Sequence, residues 1–146
     1  MVIHRVIYRS TATRVLGDQE LARMVEQARI HNFSQGITGM LLYAEGHFLQ
    51  VLEGEPQAVA LLYDQICNDP RHISIETLCD VPVAQRLSPD WSLGFGTVEI
   101  AALNRLAAFL DPKHLAALLP NTYDAKAFTT DLLRNFVEDE RIFPRR

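Results

Sequence analysis

The sequence predicts an α+β sandwich in which two helices cover one face of a sheet. Three observations carry that expectation. Segments of period two and segments of helical period follow one another in the order strand, helix, strand, strand, helix, strand, strand. Two apolar runs, residues 37–44 and 47–54, meet at Glu45-Gly46, a short connection of the kind that closes a β-hairpin. Residues 101–139 then carry Leu-rich amphipathic stripes able to cover the opposite sheet face. Together these describe a ferredoxin-like βαββαββ arrangement with C-terminal helices behind it.

Each element has a local cause. Residues 2–10 alternate as a strand, with His4, Val6, Tyr8 and Ser10 on one side and Ile3, Arg5 and Ile7 on the other. Gly17-Asp18 starts a helix whose stripe is Leu21, Met24, Val25 and Ala28; Asn32, four residues further on, continues it and so points inward, and Gly36 ends the helix. In the hairpin, pairing Ala44 with His47 sets Leu41 opposite Gln50. Counting in twos then puts Gly39, Leu41, Tyr43, Phe48, Gln50 and Leu52 on one face and Met40, Leu42, Leu49 and Val51 on the other. Both faces are apolar, so both need covering. Gln50 lies between Phe48 and Leu52, where an unpaired amide costs about 1–3 kcal/mol; a polar group must meet it.

Glu55-Pro56 opens the second helix, with Val59, Leu62, Tyr63, Ile66 and Cys67 as its stripe and Pro70 as its stop. Residues 73–83 and 91–99 alternate as two more strands. In the tail, Leu103, Leu106, Leu110, Leu115, Leu118 and Leu119 form one stripe and Phe128, Leu132 and Phe136 another, interrupted by Pro112 and Pro120.

At 146 residues, 48% apolar and 22% charged, the chain is long enough for one domain with a full core. A net charge of -4 without a basic run argues against direct nucleic-acid binding. No apolar run approaches the roughly 20 residues of a membrane span, and the N-terminus enters a strand pattern at once instead of a signal-peptide layout. A cytoplasmic protein without membrane contact is expected. Cys67 and Cys79 match no metal or redox spacing and are expected as buried, reduced thiols.

Enzyme signatures are sparse. The histidines at 4, 31, 47, 72 and 114 show no metalloprotease spacing, neither cysteine has a neighbouring base, and no phosphate-binding loop is present. Gly94-Phe95-Gly96 lacks the third glycine of a dinucleotide fingerprint and reads as a closely packed strand. What remains is a polar set, Tyr8, Asn32 and Gln50, drawn from three elements and aimed at one interior space between sheet and first helix. Such a set binds or switches something.

At these residues the sequence resembles a known family. A strand ending in Tyr8, ARIHN with Asn32, GITGMLLY, FLQVLEG, DPRH and DWSLGF, in that order over residues 2–97, are similar to the BLUF family of flavin-binding blue-light sensors. The resemblance implies a ferredoxin-like domain at residues 1–100 that holds a flavin (FAD foremost, with FMN and riboflavin as alternatives) between its two helices. Beyond the stretch of resemblance, the amphipathic stripes are read as making residues 101–146 a helical cap within the same globular unit. The resemblance implies Tyr8 as electron donor, Gln50 as the switching amide between Tyr8 and the flavin, and Asn32 as hydrogen-bond partner of the ring's carbonyl edge. His31 matches a second edge position, Met24 and Ile66 positions that sandwich the ring, and Arg71 and His72 the ribityl or phosphate side. Trp91 and Leu93 fall at modulating positions. Family members often carry Met where this chain has Leu93, which has no thioether to accept a hydrogen bond. Because the tail has amphipathic stripes but no catalytic motif and no basic DNA-reading face, output through a separate effector protein or through homo-oligomerisation is expected, with no turnover of a substrate. Two other classes fit the fold: a small acyl-phosphate hydrolase using Arg14, and a flavin-free interaction domain.

Overall fold

Glu45 and Gly46 have φ of 46° and 83°, so both central residues of the hairpin turn are left-handed. That geometry matches the right-handed twist of paired strands. In the computed structural model, which describes residues 2–87, 92–110, 133 and 143–145, this turn joins β2 (Thr38–Ala44) to β3 (His47–Gly54). The register is the expected one, with Ala44 opposite His47 and Leu41 opposite Gln50. Gly39 is required by close approach: a Cβ there would run into the Val51 carbonyl.

β1 (Ile3–Ala12) pairs antiparallel with β3. Two pairs follow from its register: Tyr8 faces Gln50, and Arg5 faces Glu53. β4 (His72–Val83) flanks β1, β5 (Leu93–Thr97) runs parallel to β2, and β6 (Phe143–Arg145) pairs with β5. The sheet order is β4-β1-β3-β2-β5-β6. The ferredoxin-like α+β expectation holds.

α1 (Asp18–Ser34) and α2 (Pro56–Cys67) lie on one sheet face and α3 (Ile100–Leu110) on the other. Asp18 and Glu20 sit in the first turn of α1, where negative charge offsets the helix dipole, and Pro56 opens α2 where its missing N–H costs nothing. On the helix-covered face, Leu21 and Val25 pack on Leu41, Tyr43, Phe48 and Leu93, while Val59 packs on Val6, Tyr8 and Leu52. On the reverse face Met40, Leu42, Leu49 and Val51 pack with Ile7 and Leu78 against Leu103, Leu106 and Leu110, and Leu133 joins them. The remaining tail positions expected in stripes (Leu115, Leu118, Leu119, Phe128, Leu132 and Phe136) lie outside the described residues.

The reverse face ends in a buried ion pair. Arg5 Nε donates to Glu53 Oε2 at 2.7 Å, and the two residues are 1% and 0% exposed. The other Glu53 oxygen accepts from the Leu87 amide at 2.6 Å, and Arg86 reaches Thr38 Oγ1 and the Glu53 carbonyl at 2.8 and 3.2 Å. The carboxylate thus ties the segment after β4 to β3.

The cysteines correct one expectation. Neither is in a disulfide, but Cys67 is exposed and Cys79 half-buried. Cys67 is the last residue of α2, beyond the turn that Val59, Leu62 and Ile66 press onto the sheet.

Candidate functional site

The site forms where β4 is bulged against β1. Ile7 faces Cys79 across the β1–β4 ladder, but Tyr8 faces Thr77, so Leu78 is an extra residue on β4. A bulge re-aims the side chains beside it, and here it occurs at the tyrosine that the sequence singles out. A second irregularity follows at Ser74, which has φ 54°, next to the Ser10 Oγ–His72 Nδ1 hydrogen bond of 2.9 Å.

Between α1, α2 and the sheet lies a cavity of about 230 Å³. Its floor is Tyr8, Leu41 and Gln50; α1 contributes Met24, Gln27, Ala28, His31 and Asn32; α2 contributes Leu62, Gln65 and Ile66; and Asp69, Arg71 and His72 line the rest. Tyr8 Oη donates a hydrogen bond to Gln50 Oε1, in a pair that is 1% and 6% exposed. The polar partner that Gln50 requires is therefore Tyr8, and the amide nitrogen is left as a donor for another group. Burial pushes the Tyr8 phenol far above its ordinary range, with Tyr63, Cys67 and Asp69 adding to the shift, so the proton is held at Oη.

Asn32 is 1% exposed and its Nδ2 donates to the Ser92 carbonyl at 2.9 Å. One turn back, buried Arg29 reaches the Leu93 carbonyl with Nε and Nη2 at 3.4 and 3.3 Å. Two side chains of α1 thus grip successive carbonyls at the entry to β5. At the other end Arg71 Nη2 and Asp69 Oδ2 are 2.6 Å apart, with Arg71 Nε shared between both carboxylate oxygens. That guanidinium holds Asp69 below its usual carboxylate value. His72 is lowered, mainly by burial, which keeps it neutral.

Eight residues singled out from sequence, Tyr8, Met24, His31, Asn32, Gln50, Ile66, Arg71 and His72, line this one cavity. Leu93 does not line it; it is fully buried in the apolar cluster under α1. Trp91 lies outside the described residues. Gln27, Gln65, Asp69 and Arg29 were missed. Gln27 is three residues after Met24 and four before His31, and Gln65 is three after Leu62, so helical spacing alone would have found those two. Arg14 pairs with Glu20 on the surface and does not line this cavity. Among the described residues no cluster of His, Cys, Asp or Glu could hold a metal ion, and no helix is long and apolar enough to cross a membrane.

Fold and cavity define a ferredoxin-like domain with an interior space between its two helices and the sheet, in which Met24, Ala28 and Ile66 are apolar lining and Gln50, Asn32 and His31 polar lining. Solved structures agree with that class. The chain is similar to BlsA in its photo-activated state (TM-score 0.67, 27% identity, 100% of this chain and 99% of that one) and to the BLUF protein BlrB in its dark state (0.66, 28%, 94% and 96%). Residues 3–94 match the model of the BLUF family, sensors of blue light using FAD, and the chain belongs to that family. It is 40% identical over 96 residues to photoactivated adenylate cyclase subunit beta of Euglena gracilis, matching 65% of this chain and 11% of that protein. It is also 40% identical over 82 residues to the blue light- and temperature-regulated antirepressor BluF of Escherichia coli K12, 56% of this chain and 20% of that one. The family is one of flavin-dependent blue-light photoreceptors, and the residues lining the cavity fit a flavin ring.

Proposed function

We propose that the chain is a blue-light photoreceptor in which Tyr8 is the electron donor, Gln50 the switching amide and Asn32 the partner of the flavin's carbonyl edge. The Tyr8 Oη–Gln50 Oε1 hydrogen bond inside a flavin-compatible cavity carries this reading. When bound, the flavin supplies a blue-absorbing ring whose excited state takes up an electron. Tyr8 gives one up only if its proton leaves with it, because a buried phenol cannot leave a charge behind. Gln50 Oε1 is the acceptor already in place for that proton. The two ends of the amide differ as donor and acceptor, so turning or tautomerising it inverts its hydrogen bonds without burying a charge. Met24 and Ile66 would sandwich the ring and His31 would support its edge, with Arg71 and His72 held for the ribityl or phosphate side.

The output is a conformation, without substrate turnover. Residues 1–100 sense light and 101–146 act as a cap of the same unit. Gln50 sits on β3 between Leu49 and Val51, whose side chains meet α3 on the reverse face. Rearranged bonds at Gln50 then shift the docking of the cap and change self-association or the affinity for a separate effector protein in the cytoplasm, with a coupling of about 1–3 kcal/mol. FAD is the flavin proposed. The test is the purified protein itself: a yellow preparation whose flavin spectrum moves reversibly to longer wavelength under blue light, with hydrogen exchange across residues 100–110 differing between dark and light. A colourless protein that takes up no added flavin excludes the reading; identical exchange excludes the output route.

A further inference from the structure

Tyr8 is not the only phenol at the site. The ring of Tyr63, from α2, stands with its centroid 5.4 Å from that of Tyr8 at an interplanar angle of 36°. The two rings share the cluster formed by Val6, Leu52 and Val59, so no polypeptide or solvent layer has to be crossed between them. Their hydroxyls have opposite surroundings. Tyr8 Oη is sealed and bonded to Gln50, whereas Tyr63 is only partly buried and its Oη shares a hydrogen bond with Thr77 Oγ1 at the surface-facing edge strand β4. Thr77 is also the residue that the bulge brings opposite Tyr8.

We infer that Tyr63 is a secondary electron donor, which refills Tyr8 after the light-driven step and holds the oxidising equivalent near the surface. The inference rests on Tyr8 being the primary donor. Its balance is as follows. Tyr8 has lost one electron to the photo-excited flavin and one proton to Gln50. Tyr63 then passes one electron to Tyr8 across the ring contact, Gln50 returns its proton to Tyr8 Oη, and the proton of Tyr63 Oη leaves through the Thr77 hydroxyl to water. Tyr8 is again an intact phenol and Tyr63 a neutral phenoxyl; the cycle closes when the electron that Tyr8 gave up returns by the same route to Tyr63, which takes its proton back from water through the Thr77 hydroxyl. An oxidised phenol is a strong acid, so the ring whose proton can escape to water is the easier one to oxidise. Tyr63 has that exit and Tyr8 does not. Partial burial raises the Tyr63 phenol above its ordinary value, so it is a protonated donor at neutral pH.

The experiment compares wild type, Tyr8→Phe, Tyr63→Phe and Thr77→Val, each with flavin bound. Samples are frozen under blue light and the trapped tyrosyl radical is quantified by electron paramagnetic resonance. The expected result is a trapped radical in wild type, at least fivefold less in Tyr63→Phe, a similar loss in Thr77→Val where ring and fold are kept but the proton exit is removed, and none in Tyr8→Phe. A second readout needs no photochemistry: azide radicals generated by pulse radiolysis in the dark should give a long-lived phenoxyl in wild type that is lost in Tyr63→Phe and kept in Tyr8→Phe. A trapped radical of wild-type yield and lifetime in both Tyr63→Phe and Thr77→Val overturns the relay while leaving Tyr8 as donor. If Tyr63→Phe fails to fold, unchanged yield in Thr77→Val overturns it alone. No light-driven radical in wild type, with the dark phenoxyl present, overturns the primary role of Tyr8 and the relay with it.

Discussion

The two faces of the hairpin are made from alternate residues of the same strands and have opposite characters. Towards α1 and α2, Leu41 and Gln50 border a cavity edged with amides and a phenol. Towards α3, Met40, Leu42, Leu49 and Val51 are each 0% exposed and close-packed, and two fully buried charges beside them, Arg5 and Glu53, are paired at one end. In the mechanism proposed above, one face rearranges and the other transmits: close-packed side chains do not deform gradually, so a change at Gln50 would reach Leu49 and Val51 as a displacement of the strand.

The contrast can be broken at either face, and the largest effect is expected at the cavity. Tyr8→Phe and Gln50→Leu should each abolish the light-induced spectral shift while flavin stays bound, as read by difference spectroscopy; a normal photocycle in either variant removes these residues from the switch. On the other face, Glu53→Ala leaves Arg5 as an uncompensated buried charge and should cost about 3–5 kcal/mol in chemical denaturation. The photoreaction of the folded fraction should persist, since Glu53 does not line the cavity. A loss under 1 kcal/mol would mean that water reaches the pair.

Asn32→Ala should weaken flavin binding by about 1–2 kcal/mol, measured by titration. Unchanged affinity would confine Asn32 to holding the Ser92 carbonyl. A smaller effect is set by pH. Burial, helped by Arg71 and opposed by Asp69, depresses His72 below its ordinary 6.5. The unfolded chain therefore binds more protons than the folded one once pH falls below about 6.5, and stability declines on acidification from there to the depressed value. Above that window both forms are neutral and the contribution is flat. His72→Gln should flatten this part of the stability-pH curve, followed by thermal melts; an unaltered slope places the titration elsewhere.

The smallest expected change is at Leu93. Leu93→Met supplies a thioether in the cluster under α1 and should alter the lifetime of the lit state while the initial shift survives, because the Tyr8–Gln50 pair does not pass through position 93. Loss of the shift itself would show that position 93 shapes the cavity directly.

Much of this was legible in the chain because the relevant patterns are local. A two-residue turn and a period of two place Leu41 opposite Gln50, and a spacing of four puts Asn32 on the buried stripe of its helix. The need for a polar partner at Gln50 was likewise a local deduction. The identity of that partner came only from the family resemblance and from no local pattern, since Tyr8 is 42 positions away and the β1–β3 register depends on closing a long stretch of chain. The Arg5–Glu53 pair, the ring contact of Tyr8 with Tyr63, and the bulge at Tyr8 also have no local signature. Cys67 shows the limit most plainly. Helical spacing assigned it to a buried stripe, but only the packing of α2 on the sheet decides where a helix's last residue leaves the core, and it leaves it before Cys67. Sequence sets which side of each element is apolar, because that follows from a fixed angle per residue. Which elements meet, and where their contact stops, is decided by the free energy of the assembled core.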